Sequence, residues 1–199
     1  MSQGIVLTKG GRINLTKSAP ALKRVRVGLG WKENTFDTGA DFDLDASAFI
    51  CKTGADGNPK LISNSHFLFY GHHNDPEGAA VHSGDELTGS AQGDDERITI
   101  ELSKLHAEAT EISFVVTIHD AVTRKQNFGQ VSDSKITLYN DEDNTVLATY
   151  SLEDAFSNET SVQFGSLYKK DGEWLFKAVG AGFQRGLDQF VIAYGGTLA

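Results

Sequence analysis

The chain has 199 residues, with 39% hydrophobic and 23% charged, enough for one substantial core and the balance of an ordinary globular domain rather than a disordered one. Its formal net charge of −9 comes from 27 acids and 18 bases, and its single cysteine excludes an internal disulfide framework and a CxxC redox pair. No apolar run approaches the roughly 18–20 residues of a membrane span, and Met1-Ser2-Gln3-Gly4 lacks the start of a signal peptide, so one cytoplasmic domain over 1–199 is the expectation.

Only three prolines and 21 glycines punctuate a series of short alternating runs, the pattern of an all-β protein. The Leu-Thr-Lys repeat at 7–9 and 15–17 around Gly10-Gly11 reads as an N-terminal hairpin. Lys23 to Trp31 follows as a strand, with Arg24 and Arg26 alternating with Val25 and Val27. Leu44, Ala46, Ala48 and Ile50 form one face of the next strand, which carries aspartates at its start. His66 to Tyr70, Ile98 to Leu102, Ile112 to Ile118, Lys135 to Tyr139, Val146 to Tyr150 and Val162 to Tyr168 continue the series. Asp171-Gly172 is a hairpin signal that sets Glu173 to Val179 antiparallel to the strand before it.

Two short helical pieces are expected. Ser103 to His106 reads as an N-capped turn. Leu187, Phe190, Val191 and Tyr194 recur at helical spacing and stop at Gly195. Uneven strand lengths and the long 71–97 connection favour a two-sheet β-sandwich over a barrel, with acidic loops at one end.

The acids are concentrated. Windows 37–45 and 75–96 hold 11 of the 27 acids and no Lys or Arg, which leaves 16 acids against 18 bases elsewhere. Residues two apart on a strand share a face at about 6.6–7 Å, so Asp41, Asp43 and Asp45 point one way while Phe42 and Leu44 point to the core. The stretch Gly84-Asp85-Glu86-Leu87-Thr88-Gly89 through Gly93-Asp94-Asp95-Glu96 adds more carboxylates, with glycines that can turn carbonyls inward and Glu96 as the bidentate candidate. Singly, each cluster reads as a solvated loop. Together they favour a cation site, since crowded carboxylates repel until a cation joins them. Calcium, which takes about six to eight oxygens at roughly 2.3–2.6 Å, fits better than magnesium, and no EF-hand loop is present.

Several motifs carry a resemblance that runs through nearly the whole chain in order. They are Val27-Gly28-Leu29-Gly30-Trp31, Asp41 to Ser47, Gly84-Asp85 with Thr88-Gly89, Gly93 to Glu96, Phe114 to Asp120, Phe128 to Val131, and Phe164-Gly165 with Gly172-Glu173-Trp174. The chain resembles the TerD family of tellurium-resistance and general-stress proteins. That resemblance implies a β-sandwich binding two calcium ions, without established catalysis, and it makes Asp41, Asp43, Asp45, Asp85, Asp94, Asp95 and Glu96 the ligands or their near neighbours. The family's Asn after Phe-Tyr is replaced here by Gly71 and His72, with Asn74 able to take its place. Its Asn after Gly-Asp is Glu86, and its acidic stretch after Gly89 is Ser90-Ala91-Gln92. Expected partners are calcium and other stress or tellurium-resistance proteins, including membrane-associated ones, with no nucleic acid.

The rival function is a metal-dependent hydrolase on the same carboxylates, with His119-Asp120 or His82 as its base. His72, His73 and His82 lack the spacing of a structural zinc site. The seven bases in the first 32 residues read as a solvated face rather than a nucleic-acid surface, and the C-terminal aromatics read as core.

Overall fold

The structure, a computed structural model, describes residues 4–32, 41–89, 93–152 and 156–198. The first part of the chain forms β1 (Ile5–Leu7), β2 (Arg12–Asn14), the helical turn α1 (Leu15–Ser18), β3 (Arg24–Gly30) and β4 (Leu44–Thr53). Short strands β5 (Pro59–Leu61), β6 (Phe67–Leu68) and β7 (Ala80–His82) lead to β8 (Glu96–Glu101), β9 (Glu111–Ile118) and α2 (Ala121–Arg124). Strands β10 (Lys135–Asn140), β11 (Thr145–Ser151), β12 (Ser161–Lys170) and β13 (Glu173–Phe183) and helix α3 (Leu187–Ala193) complete it.

The strands make two sheets that pack as a sandwich. One runs β1-β11-β10-β3-β8-β7, and the other runs β2-β13-β12-β9-β4-β5 with β6 also on β4. Every pairing is antiparallel except β1 on β11. The expected alternation places Val25, Val27, Leu29, Ile98, Ile100, Ile136 and Leu138 of one sheet against Leu44, Ala46, Ala48, Ile50, Ile112, Phe114 and Phe164 of the other, all buried.

Strand β4 is buried on both faces because α3 covers its far side. Phe49 and Cys51 pack there with Val115, Phe190, Val191 and Tyr194, the helix residues picked out by their spacing. Phe49 stacks on Tyr194 at 4.6 Å, and the Tyr194 hydroxyl meets Ser113 Oγ at 2.6 Å. Burial pushes the Cys51 thiol far up, which suits a packing role and not a redox one. Asp171 and Gly172, at φ 52 and 80, make the tight β12–β13 hairpin that their sequence signals.

Three expectations need correction. The N-terminal hairpin does not form: β1 joins one sheet and β2 the other. The Gly10-Gly11 turn instead bonds to β13, with the Gly10 N–H donating to the Ala178 carbonyl at 2.7 Å and the Ala178 N–H to that of Gly11 at 2.9 Å. The alternation was right, but the partner strand lies far along the chain. Residues 103–106 form no helix, only a turn closed by the Lys104 N–H on the Glu101 carbonyl at 3.1 Å. The 71–97 connection is also less open than its length implies. Asn74 bridges Val81, and the Ala80 N–H donates to Asp75 Oδ1 at 2.7 Å, so a small hairpin fills its first half.

Candidate metal centre

The starts of β4 and β8 and the end of β9 meet at one end of the sandwich, Leu44 beside Ile118 and Glu96 beside Leu29. Asp43 and Asp45 sit at the head of β4, only 5% and 4% exposed. Asp85 reaches them from the acidic loop, so the three residues each offer an oxygen within 4.8 Å of the others. Burial pushes Asp45 up to about 7, with the charges of Asp43 and Asp85 adding and Arg124 opposing. Asp43 is also raised by burial, against which the nearby His119 acts.

The Arg124 guanidinium answers this charge in part, and the His119 ring stands beside it. Arg124 Nη1 lies 3.5 Å from Asp43 Oδ2, and His119 Nδ1 lies 3.8 Å from Asp45 Oδ2. Arg124 returns to the site because left-handed Asp120 and Lys125, at φ 50 and 55, bracket α2. Nothing in the local spacing announces this; no short-range pattern links residue 124 to residue 43.

Behind the triad, Glu96 is wholly buried and does structural work. Strand β6 pairs β4 only at Ala48 and Phe49, which leaves Ala46 without a strand on that side. Two side chains take the strand's place. Glu96 Oε2 accepts the Ala46 N–H at 2.6 Å, and His82 Nε2 donates to the Ala46 carbonyl at 2.9 Å. The Gly84 N–H donates to His82 Nδ1 at 3.0 Å, so the hydrogen bonds assign a neutral ring protonated at Nε2; burial lowers its pKa. Burial raises Glu96 to about 9, opposed by the Ala46 bond and reinforced by Asp45 and Asp85. Glu96 is therefore part of the rigid frame of the site, with Oε2 committed and Oε1 left over.

Among the described residues, buried Asp43 Oδ1 and Glu96 Oε1 lack a hydrogen-bond partner, while the Glu96 carboxylate as a whole is bonded by the Ala46 and Glu86 backbones. Orphaned buried oxygens beside mutually repelling carboxylates are the condition that a cation relieves. The donor set is all oxygen, which suits a hard divalent ion of the calcium type and not zinc.

The other candidates are drawn elsewhere by stronger local partners. Asp41 and Asp43 both precede β4, so the strand itself carries only Asp45; Asp43 is held at its edge by the His119 N–H donating to its carbonyl at 2.8 Å, while Asp41 is exposed. Its carbonyl accepts from Gln126 Nε2 at 3.2 Å. Asn74 is exposed in the 74–81 bridge. Asp95 Oδ2 accepts the Trp31 N–H at 2.9 Å and ties the end of β3 to the start of β8. Asp94 accepts from the Tyr139 hydroxyl at 3.2 Å among Arg26, Arg97 and Lys135. It fits only because residue 28 is glycine; a Cβ there would lie 2.2 Å from the Asp94 carboxylate.

The departure at Glu86 turns inward on its own loop. Its carboxylate accepts the Thr88 N–H at 3.0 Å, the Thr88 hydroxyl at 2.9 Å and the Gly89 N–H at 2.6 Å. Gly89, at φ 73, lies on the Trp31 indole where any Cβ would collide with it. Ser90-Ala91-Gln92 and Asp37 lie outside the described residues. His72 and His73 bond to the Phe67 and Tyr70 carbonyls at 2.7 and 2.6 Å. The early bases are largely paired, Arg24 and Arg26 with Asp141, Lys17 with Glu173 and Lys32 with Asp133.

An antiparallel sandwich with an oxygen-only carboxylate triad at one end defines a class of compact β proteins equipped to concentrate negative charge at one pole. Comparison with known proteins gives the family. Residues 3–194 match the TerD domain, and the chain belongs to the TerD family. It is 47% identical over 191 residues to general stress protein 16U of Bacillus subtilis, covering 96% of this chain and 97% of the relative. It is 46% identical to tellurium resistance protein TerD of Serratia marcescens over the same 191 residues, with the same coverage. A solved structure of a telluride resistance protein homologue from Streptomyces coelicolor superposes with a TM-score of 0.67 at 25% identity, over 85% of this chain and 95% of that one. Among the described residues no helix is long and apolar enough to cross a membrane.

Proposed function

We propose that this protein is a cytoplasmic stress-response module that binds calcium through Asp43, Asp45 and Asp85, with Glu96 Oε1 facing the same charge. The observation that carries this reading is the coincidence of a close carboxylate triad with two unpartnered buried oxygens. Bound calcium supplies the positive charge that Arg124 supplies only in part. The resemblance implies a second ion, for which Asp94 and Asp95 after Gly93 are the nearest remaining acids. Two ions take the formal charge from −9 to about −5.

Function follows from what the ion does to the surface. Asp85 belongs to a loop hinged at Gly84 and Gly89, both at positive φ, whereas Asp45 is fixed in β4 and Asp43 by the His119 N–H on its carbonyl. Calcium therefore couples a mobile arm to a rigid frame. Leu87 on that arm is 55% exposed, and Val122 on α2, whose Arg124 meets Asp43, is 86% exposed, so apolar side chains stand beside the site. The partners proposed are other stress or tellurium-resistance proteins, including membrane-associated ones.

The rival hydrolase has one observation in its favour, His119 beside Asp45. Hydrogen exchange with calcium and with chelator, together with pull-down under both conditions, decides among the readings. The module predicts calcium-dependent protection of 83–89 and calcium-dependent association, both retained in His119→Ala. Calcium binding that leaves exchange and association unchanged would reduce the ion to a structural brace.

A further inference from the structure

Trp31 stands directly after β3, is 5% exposed and offers no oxygen to a hard cation. Three contacts nevertheless tie it to the site. Its backbone N–H donates to Asp95 Oδ2 at 2.9 Å. Its indole Nε1–H donates to the Phe42 carbonyl, also at 2.9 Å. Its ring lies against Gly89, so closely that no Cβ fits there. A buried tryptophan needs a partner for its N–H, and here the partner belongs to the segment that carries the aspartates.

The Phe42 carbonyl shares one planar peptide with the Asp43 N–H, so the indole sets the peptide that leads into Asp43. The peptide that follows is held as well, by the His119 N–H on the Asp43 carbonyl at 2.8 Å. Across the site, Glu96 accepts the Glu86 N–H, and the Glu86 carboxylate gathers the Thr88 and Gly89 N–H groups. Segment 86–89 is therefore a braced unit whose far end rests on the indole. Asp85 stands directly before that unit. One side chain thus spans the two stretches, 42–43 and 86–89, that place Asp43 and Asp85 within reach of each other and of Asp45.

We propose that Trp31 is a positioning residue of the cation centre: its indole clamps the acidic loop against the Phe42–Asp43 peptide, and calcium affinity depends on that clamp. The inference rests on the metal reading and deepens it, because it assigns the seating of the mobile arm to a residue that touches no ion. Groups that orient metal ligands from behind are worth about 10–100-fold in affinity.

Calorimetric calcium titration of the full-length protein and three variants tests the clamp. Trp31→Phe keeps an aromatic ring but loses the N–H, and should weaken calcium roughly tenfold or more. Gly89→Ala forces the loop off the indole and should do the same. Phe176→Leu controls for plain loss of packing. Phe176 is fully buried in register with Leu167, Ile112 and Ile50, six residues along β4 from Leu44, or about 20 Å. This variant should lower Tm in chelator and leave calcium affinity as in the parent. Parent-like affinity in Trp31→Phe, or an equal loss in Phe176→Leu, would overturn the clamp and leave the metal reading standing. Absence of calcium binding by the parent would overturn both. Should the site variants fail to fold, Trp174→Phe leaves Trp31 as the only tryptophan, and its emission decides. A shift that saturates together with calcium binding is expected, since the loop presses on the indole as Asp85 closes on the ion. Emission unchanged at saturating calcium would overturn the clamp.

Discussion

Replacing Asp45 by Asn is expected to move two measurements in opposite directions: calcium binding is lost, and the calcium-free protein becomes more stable. Asp45 is 4% exposed, and burial with the repulsion of Asp43 and Asp85 pushes it from 3.8 to about 7. At about 1.4 kcal/mol per pK unit, ionising it inside the fold costs about 4 kcal/mol. Asn removes that charge and introduces a buried amide whose incomplete hydrogen bonding costs about 1–3 kcal/mol. The net gain at pH 8 in chelator is about 1–3 kcal/mol, or roughly 2–4 °C in Tm for each kcal/mol. In calcium the order reverses, because removing a carboxylate from the triad weakens the ion by at least about 100-fold. Melting curves of both proteins in both conditions check this. A variant less stable than its parent in chelator would show that Asp45 serves the fold rather than the ion.

The second large effect is a pH dependence whose sign differs with and without the ion. Asp45, at about 7, and Glu96, at about 9, both hold their protons more tightly in the fold than their ordinary values of 3.8 and 4.5 allow in the unfolded chain. Across that interval the calcium-free fold binds more protons than the unfolded state, so stability falls as pH rises. The contribution is complete below about pH 4 and is lost as pH passes about 7 for Asp45 and about 9 for Glu96. Saturating calcium binds the deprotonated carboxylates, so it should flatten or invert the slope between pH 6 and 9. Calorimetric scans in chelator that show Tm rising with pH over that range would contradict the assignment.

Much of the fold was legible because the strands alternate over short spans: the faces of β3, β4 and β9, the Asp171-Gly172 turn and the spacing of α3 are all local signals. The N-terminal segment was not, because Gly10-Gly11 looks like a hairpin turn until β13, more than 160 residues on, offers its backbone. The site divides in the same way. Asp45 is set by strand period with Asp43 just ahead of the strand, and Asp85 stands out in its base-free window. Which acids converge depends on partners that spacing does not encode: the Trp31 N–H for Asp95, the space above Gly28 for Asp94, and the unpaired Ala46 for Glu96. Arg124 and His82 acquire their places at the centre only when α2 and β7 fold against β4.

The central claim is that this buried acidic pole holds calcium, and the most direct measurement is calorimetric titration of chelator-stripped protein with calcium chloride at pH 7.5. The account predicts micromolar or tighter binding, weaker binding of magnesium, and an accompanying rise in Tm. Absence of heat and an unshifted Tm at millimolar calcium would contradict it.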